Sequence, residues 1–222
     1  MKRNNNQKIS TEQLVLSGLM TALVILFQCL ATYTTFFGPF STAIGLIPIV
    51  IGAILCGPIV GTWLGLVFGF VVLFTGGANL FFAFNIIGTI ITVLVKGAAC
   101  GFAAGMINRV LSKYNKTIAA VVAAIICPVV NTAIFLLGCC IFFMPYANEL
   151  AEIIGASVTG FQVFTVMAFG NFLFEIGMNI ILSPIMVRII QIADKTFRTK
   201  RVNKAAKATE TSAVDATEPT NE

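Results

Sequence analysis

Two ionisable residues interrupt long apolar runs of this 222-residue chain, Lys96 and Glu175. Held at the centre of a membrane, an uncompensated charge costs at least ~2.5–3.5 kcal/mol, so each must face a protein interior and meet a partner there. Amides gather around them. Asn131 lies in a third apolar run, and Asn171 and Asn179 fall four residues before and after Glu175, on one helix face with it. Asn85, Gln162 and Asn171 sit further from the middle of their runs. Two chemistries fit this set. One is a buried Lys96–Glu175 ion pair that fixes helix register. The other is a polar pocket open to the outside, in which Lys96 or Glu175 binds a ligand.

Catalysis has no comparable signature. The chain has no histidine, which excludes histidine-based zinc sites, His general-base chemistry and His-ligated haem. It shows no Ser–Lys pair of obvious spacing, no pair of intramembrane aspartates, no metal-ligand cluster and no phosphate-binding loop. The six cysteines, Cys29, Cys56, Cys100, Cys127, Cys139 and Cys140, all lie in apolar runs without a C-x-x-C, and read as small buried hydrophobes. The sequence therefore reads as a non-enzyme without metal or cofactor. Any ATP-driven step would need another chain.

The elements that must position these residues are membrane helices. Hydrophobic residues make up 58% of the chain and charged ones 10%, far below the roughly 25% charged of a soluble domain. Residues 13–95 contain no Lys, Arg, Asp or Glu. The expected fold is an all-α integral membrane protein, a bundle of six transmembrane helices with both termini cytoplasmic. Residues 1–11 form a cytoplasmic N-terminal segment, 12–192 the six-helix substrate-binding domain, and 193–222 a basic then polar disordered tail. The spans read as residues 11–33, 42–56, 59–74, 82–111, 117–143 and 161–192. Loops are expected at 34–41, at 76–79 and at 144–159. Lys96, Asn131 and Glu175 each fall about 14 residues into their spans, roughly 21 Å along the helix and close to the midplane.

Charge sets the orientation. The N-terminal Lys2, Arg3 and Lys8, the link with Arg109, Lys113 and Lys116, and the basic segment from Arg188 to Lys207 share one side in a six-span arrangement. The other side receives two uncharged loops and one bearing Glu149 and Glu152. The positive-inside rule makes the basic side cytoplasmic. The net charge of +5 thus encodes topology, with no nucleic-acid partner implied. Small residues form two rows. Gly57, Gly61, Gly65 and Gly69 recur every fourth residue, which lets a neighbouring backbone approach closely, chiefly for packing within the chain. Ser17 and Gly18, followed by Thr21 and Ala22, form a second row that packs internally or meets a partner.

These features together resemble a known family. The run Ile47-Pro48-Ile49-Val50-Ile51-Gly52-Ala53, the Gly57-Pro58 break and the glycine row to Gly69 carry the likeness. So do Lys96-Gly97 with Gly101 and Gly105, Pro128-Val129-Val130-Asn131-Thr132, and Glu175 to Asn179. Over about residues 10–195 the chain resembles the substrate-binding S components of energy-coupling-factor (ECF) vitamin transporters. The resemblance implies high-affinity capture of a vitamin or related micronutrient at the plasma membrane of a bacterium. It implies ATP-driven uptake with a transmembrane coupling subunit and two ATP-binding-cassette ATPases. The family's helix-one motif, two alanines four residues apart, corresponds here to Gly18 and Ala22, the implied docking residues. The implied ligand site comprises Asn79, Asn85, Lys96, Asn131, Asn171 and Glu175. Asn131-Thr132 with Phe135, and Lys96-Gly97, are most similar to the pantothenate-type branch, and a basic pocket residue suits a small carboxylate. Riboflavin is the alternative vitamin. A self-sufficient secondary transporter and a structural membrane protein without ligand are the other classes.

Overall fold

A computed structural model of the chain describes residues 11–33, 45–155, 157–170, 172–173, 175–181, 184, 187–188 and 192. The expected N-terminal segment up to residue 10, the loop at 34–41 and the tail at 193–222 lie outside the described residues. Within them the protein is helical and has no strand. The elements are α1 (Thr11–Tyr33), α2 (Leu46–Cys56), α3 (Pro58–Phe74), α4 (Asn79–Phe82), α5 (Ile86–Leu111) and α6 (Lys116–Gly138). A π-helical turn (Cys139–Phe143), a 3-10 turn (Met144–Tyr146) and α7 (Ala147–Ile154) continue α6, and a last span covers Phe161–Ile181.

Four stretches are long and apolar enough to cross a membrane: Gln13–Thr32, Ile86–Leu111, Lys116–Ile154 and Phe161–Ile181. The other two, α2 and α3, have 11 and 17 described residues. They rise about 16 and 26 Å, short of a hydrocarbon core of ~30 Å. Many large apolar side chains point outward, among them Ile59, Trp63, Phe74, Ile87 and Ile141. A water-facing surface would not hold that many.

Two expected boundaries move. The fourth span was expected from residue 82, but α4 ends at Phe82 and α5 begins only at Ile86. Asn85 is the reason: its extended backbone and its Oδ1, which accepts the Gly88 N–H at 2.8 Å, start the new helix. The expected loop at 144–159 is instead helical over Ala147–Ile154. Leu150 and Ala151 pin that helix by burial against Val163, Phe164 and Met167 of the last span.

The Gly57-Pro58 break turns the chain back on itself. Gly57 has φ 94°, a region open to glycine, and its N–H closes α2 on the Ala53 carbonyl at 3.0 Å. Pro58 then opens α3, where its missing N–H would be unused anyway. In the resulting hairpin Ala53 lies against Gly61 and Leu64 fills the space beside Gly52. From Leu46 to Ala53 every residue of α2 is buried, because α1, α3, α5 and α6 surround it.

The glycine row has its partner within the chain. α3 and α5 run antiparallel, with Gly61 against Gly101 and Gly65 against Gly97. A Cβ on any of the four would fall on the facing glycine's carbonyl oxygen. At the ends of the seam Gly69 meets Val93, and Gly105 meets Pro58. The expected internal role of the row is therefore observed. On α1, Met20, Val24, Gln28 and Ala31 turn inward. Gly18 and Ala22 are exposed on the other side, and no described atom comes within 4 Å of a Cβ built on Gly18.

Candidate functional site

The midplane residues meet where α5, α6 and the last span come together. α5 is started by the Asn85 cap and α6 by Asn115, whose Oδ1 accepts from the N–H groups of Thr117 and Ile118. The two helices pack antiparallel. Gly88 lies beside Phe142, and Thr92 fills the space beside Gly138. One turn further along α5, the Lys96 ammonium stands 5.3 Å from the centroid of the Phe135 ring. Such a cation–π contact contributes ~0.5–2 kcal/mol, more where water is excluded.

Below that contact Asn131 and Glu175 are both 3% exposed. The Asn131 amide donates through Nδ2 to both Glu175 carboxylate oxygens, each at 3.4 Å. Lys96 and Glu175 also attract one another. The three residues read from sequence as sharing one depth thus form one polar layer. Apolar clusters flank it on both sides. One contains Val93, Cys100, Ala124 and Cys127. The other contains Cys139, Phe143, Leu150 and Phe164 with Phe81, Phe84 and Phe135 packed on it. Phe81 joins Phe135 and Phe143 edge to face, with centroids 5.5 and 5.1 Å apart.

The remaining candidates fare differently. Asn85 caps α5: its Oδ1 takes the Gly88 N–H, and its carbonyl accepts the Thr89 hydroxyl. Asn79 is exposed at the start of α4, its amide folded beside Gly76. Asn171 lies outside the described residues. Asn179, read as sharing a face with Glu175, is buried as Glu175 is, and donates to the Ala124 carbonyl at 3.1 Å.

Sequence reasoning passed over Thr92 and the aromatic cluster. Thr92 could have been found, since it lies one turn before Lys96 on the same face. Of the aromatics, Phe135 stood out beside Asn131-Thr132, but Phe81, Phe84 and Phe143 could not be singled out among 20 phenylalanines.

An ammonium, a carboxylate and an amide under an aromatic roof can bind a small polar or anionic molecule. Nothing in the arrangement can act as a nucleophile with its own base. A family model for the substrate-specific component of ECF transporters matches residues 12–187. No curated protein matches the chain. A match over so much of the chain decides the family and its broad role, in which a membrane protein binds a small-molecule substrate and works with transmembrane and ATPase modules in uptake, without being an enzyme. This chain belongs to the substrate-specific component family of ECF transporters.

Proposed function

We propose that the chain captures pantothenate from outside a bacterial cell and delivers it for ATP-driven uptake through a coupling subunit with two ATPases. The observation that carries this reading is the Lys96 ammonium over Phe135. It offers a positive charge in a polar layer flanked by apolar clusters, on the same seam as the Asn131 amide. Pantothenate is a small carboxylate with an amide and two hydroxyls, and its groups suit that set. The ligand site comprises Lys96, Asn131 and Glu175, with Asn171 on the same face as Glu175 by spacing and Asn79 and Asn85 at the outer rim.

Six spans with both termini in the cytoplasm complete the proposal. The described charges support it. Arg109, Lys113 and Lys116 are exposed where α5 passes into α6, and Glu149 and Glu152 are exposed on α7 beyond the other end of α6. Basic residues favour the cytoplasmic side. The exposed Gly18 and Ala22 then serve as the docking face for the coupling subunit, since small residues let helices approach closely in lipid.

The test is a thermal-shift screen of the purified protein against a panel of vitamins, followed by reconstitution. Pantothenate should raise the melting temperature, and uptake into liposomes should require the coupling subunit and ATPases. The aromatic roof of Phe81, Phe135 and Phe143 favours riboflavin as the second reading, and stabilisation by riboflavin alone would select it. Uptake by the chain alone would make it a secondary transporter. Stabilisation by no vitamin would leave a structural protein.

A further inference from the structure

Hydroxyls in membrane helices usually bond the carbonyl one turn back, and this chain does so repeatedly. Thr21, Thr32, Thr62, Thr75 and Thr89 each donate to the carbonyl four residues earlier, at 2.7–3.0 Å. Thr92 departs from the pattern. It is 5% exposed, yet its Oγ1 has no hydrogen-bond partner. Its Oγ1 and Cγ2 lie in the space a side chain on Gly138 would occupy, so the hydroxyl is turned towards α6.

A second orphan lies on the other side of Lys96. Asn131 donates through Nδ2 to Glu175, but its Oδ1 is buried without a partner. Only one other such atom, Gln28 Oε1, occurs among the described residues. A buried polar atom left unmet destabilises the fold. Two of the three therefore bracket the one ammonium of the polar layer, along a single seam. Thr92 and Lys96 are one turn apart on α5, about 6 Å along the helix. Gly138, Phe135 and Asn131 follow one another on α6 opposite them.

We propose that Thr92 is a ligand-recognising residue, and that Thr92 Oγ1 reads a hydroxyl, and Asn131 Oδ1 a hydroxyl or amide N–H, of a small acid whose carboxylate meets Lys96. This deepens the pantothenate reading and rests on it. The substrate class is a carboxylate with a hydrogen-bonding group about one helical turn, ~6 Å, from its charge. A flat, purely apolar ring would leave both orphans unmet. Neither atom is reached by solvent, so binding opens the α5–α6 seam where a threonine rests on a glycine beside the half-buried Phe135.

The test uses Thr92→Val, which keeps the shape and removes the hydroxyl, with Thr92→Ser as the rescue. The probes are pantothenate and the same acid amide without its two hydroxyls. Because the buried hydroxyl has no partner within the protein, Thr92→Val should melt about 2 °C or more above wild type without ligand. It should bind pantothenate at least about fivefold more weakly, as loss of one hydrogen bond predicts. Thr92→Ser should keep wild-type affinity, and the hydroxyl-free acid should bind wild type and Thr92→Val alike. Failure of pantothenate to bind wild type would overturn the vitamin assignment, and the melting of the empty variant would still judge Thr92. A lower melting temperature for empty Thr92→Val, or unchanged pantothenate affinity, would overturn the role of Thr92.

Discussion

Asn179 provides the hydrogen bond that Pro128 withholds from its own helix. Pro128 lies inside α6 and has no N–H to give the carbonyl four residues back, that of Ala124. The Asn179 Nδ2 donates to that carbonyl at 3.1 Å from the last span. Two turns further along α6 and one turn back along the last span, Asn131 and Glu175 make the next link. The break in α6 is thereby turned into a tether between two elements, just beneath the polar layer.

That relationship sets a two-variant test. Asn179→Leu should lower stability by about 1–3 kcal/mol, since it leaves the Ala124 carbonyl buried and unmet. In a Pro128→Ala background the helix bonds that carbonyl itself, and the same change should cost markedly less. Denaturation of the four proteins in one detergent gives the coupling. An equal cost in both backgrounds would refute the tether.

Asn131→Leu should also destabilise, by about 1.5–3 kcal/mol, because the donors it removes meet a charged group. Asn131→Asp should be worse at neutral pH, with one carboxylate facing another in a site of low polarisability. Thermal unfolding of the ligand-free variants measures both. If Asn131→Asp is as stable as wild type, the Asn131–Glu175 bond is not holding the layer.

Gly65→Ala and Gly97→Ala should each cost about 2 kcal/mol or more, or prevent folding, because the added methyl lands on a backbone oxygen that cannot step aside. Gly18→Ala, with open space around it, should stay within about 0.5 kcal/mol or gain slightly from helix propensity. Gly18→Leu and Ala22→Leu should leave ligand binding intact and abolish uptake by the assembled transporter. Equal loss of binding and uptake would make that face internal packing.

Lys96→Met should weaken pantothenate binding about tenfold or more, the worth of one hydrogen bond to a charged group. Titration calorimetry on the folded variant reads it. An unchanged dissociation constant would reduce Lys96 to a clasp for Glu175. A tag at the C-terminus should resist protease added to intact cells, and digestion of it there would reverse the assigned orientation.

How far the sequence could be read depended on whether a signal was periodic or relational. The glycine row is periodic, so its packing role was visible, but its partners Gly97 and Gly101 follow only from the α3–α5 register. Equal depth along three spans brought Lys96, Asn131 and Glu175 together on paper, and the bundle joins them. Which pairs touch was not legible, since depth says nothing of rotation about a helix axis. Asn85 was read as a ligand candidate, and an Asn before an apolar run is also a helix start, a capping role that the structure adds to the reading. The position of Thr92 one turn from Lys96 was legible, but its unmet hydroxyl was not, because a helical threonine reads the same whether or not its hydroxyl is bonded.

The glycine seam has a mechanical consequence. Where Gly61 and Gly65 of α3 meet Gly101 and Gly97 of α5 there are no side chains, hence no rotamers to exchange, and backbone rests on backbone. A joint of that kind cannot yield by small rearrangements. It holds or it comes apart, so the α2–α3 hairpin and α5 behave as one stiff plank. Compliance must come from the opposite edge of α5, where Thr92, Lys96, Phe135 and Phe142 can change their torsions. The chain thus divides lengthwise into a rigid spine and a pliant flank, and the polar layer lies on the flank.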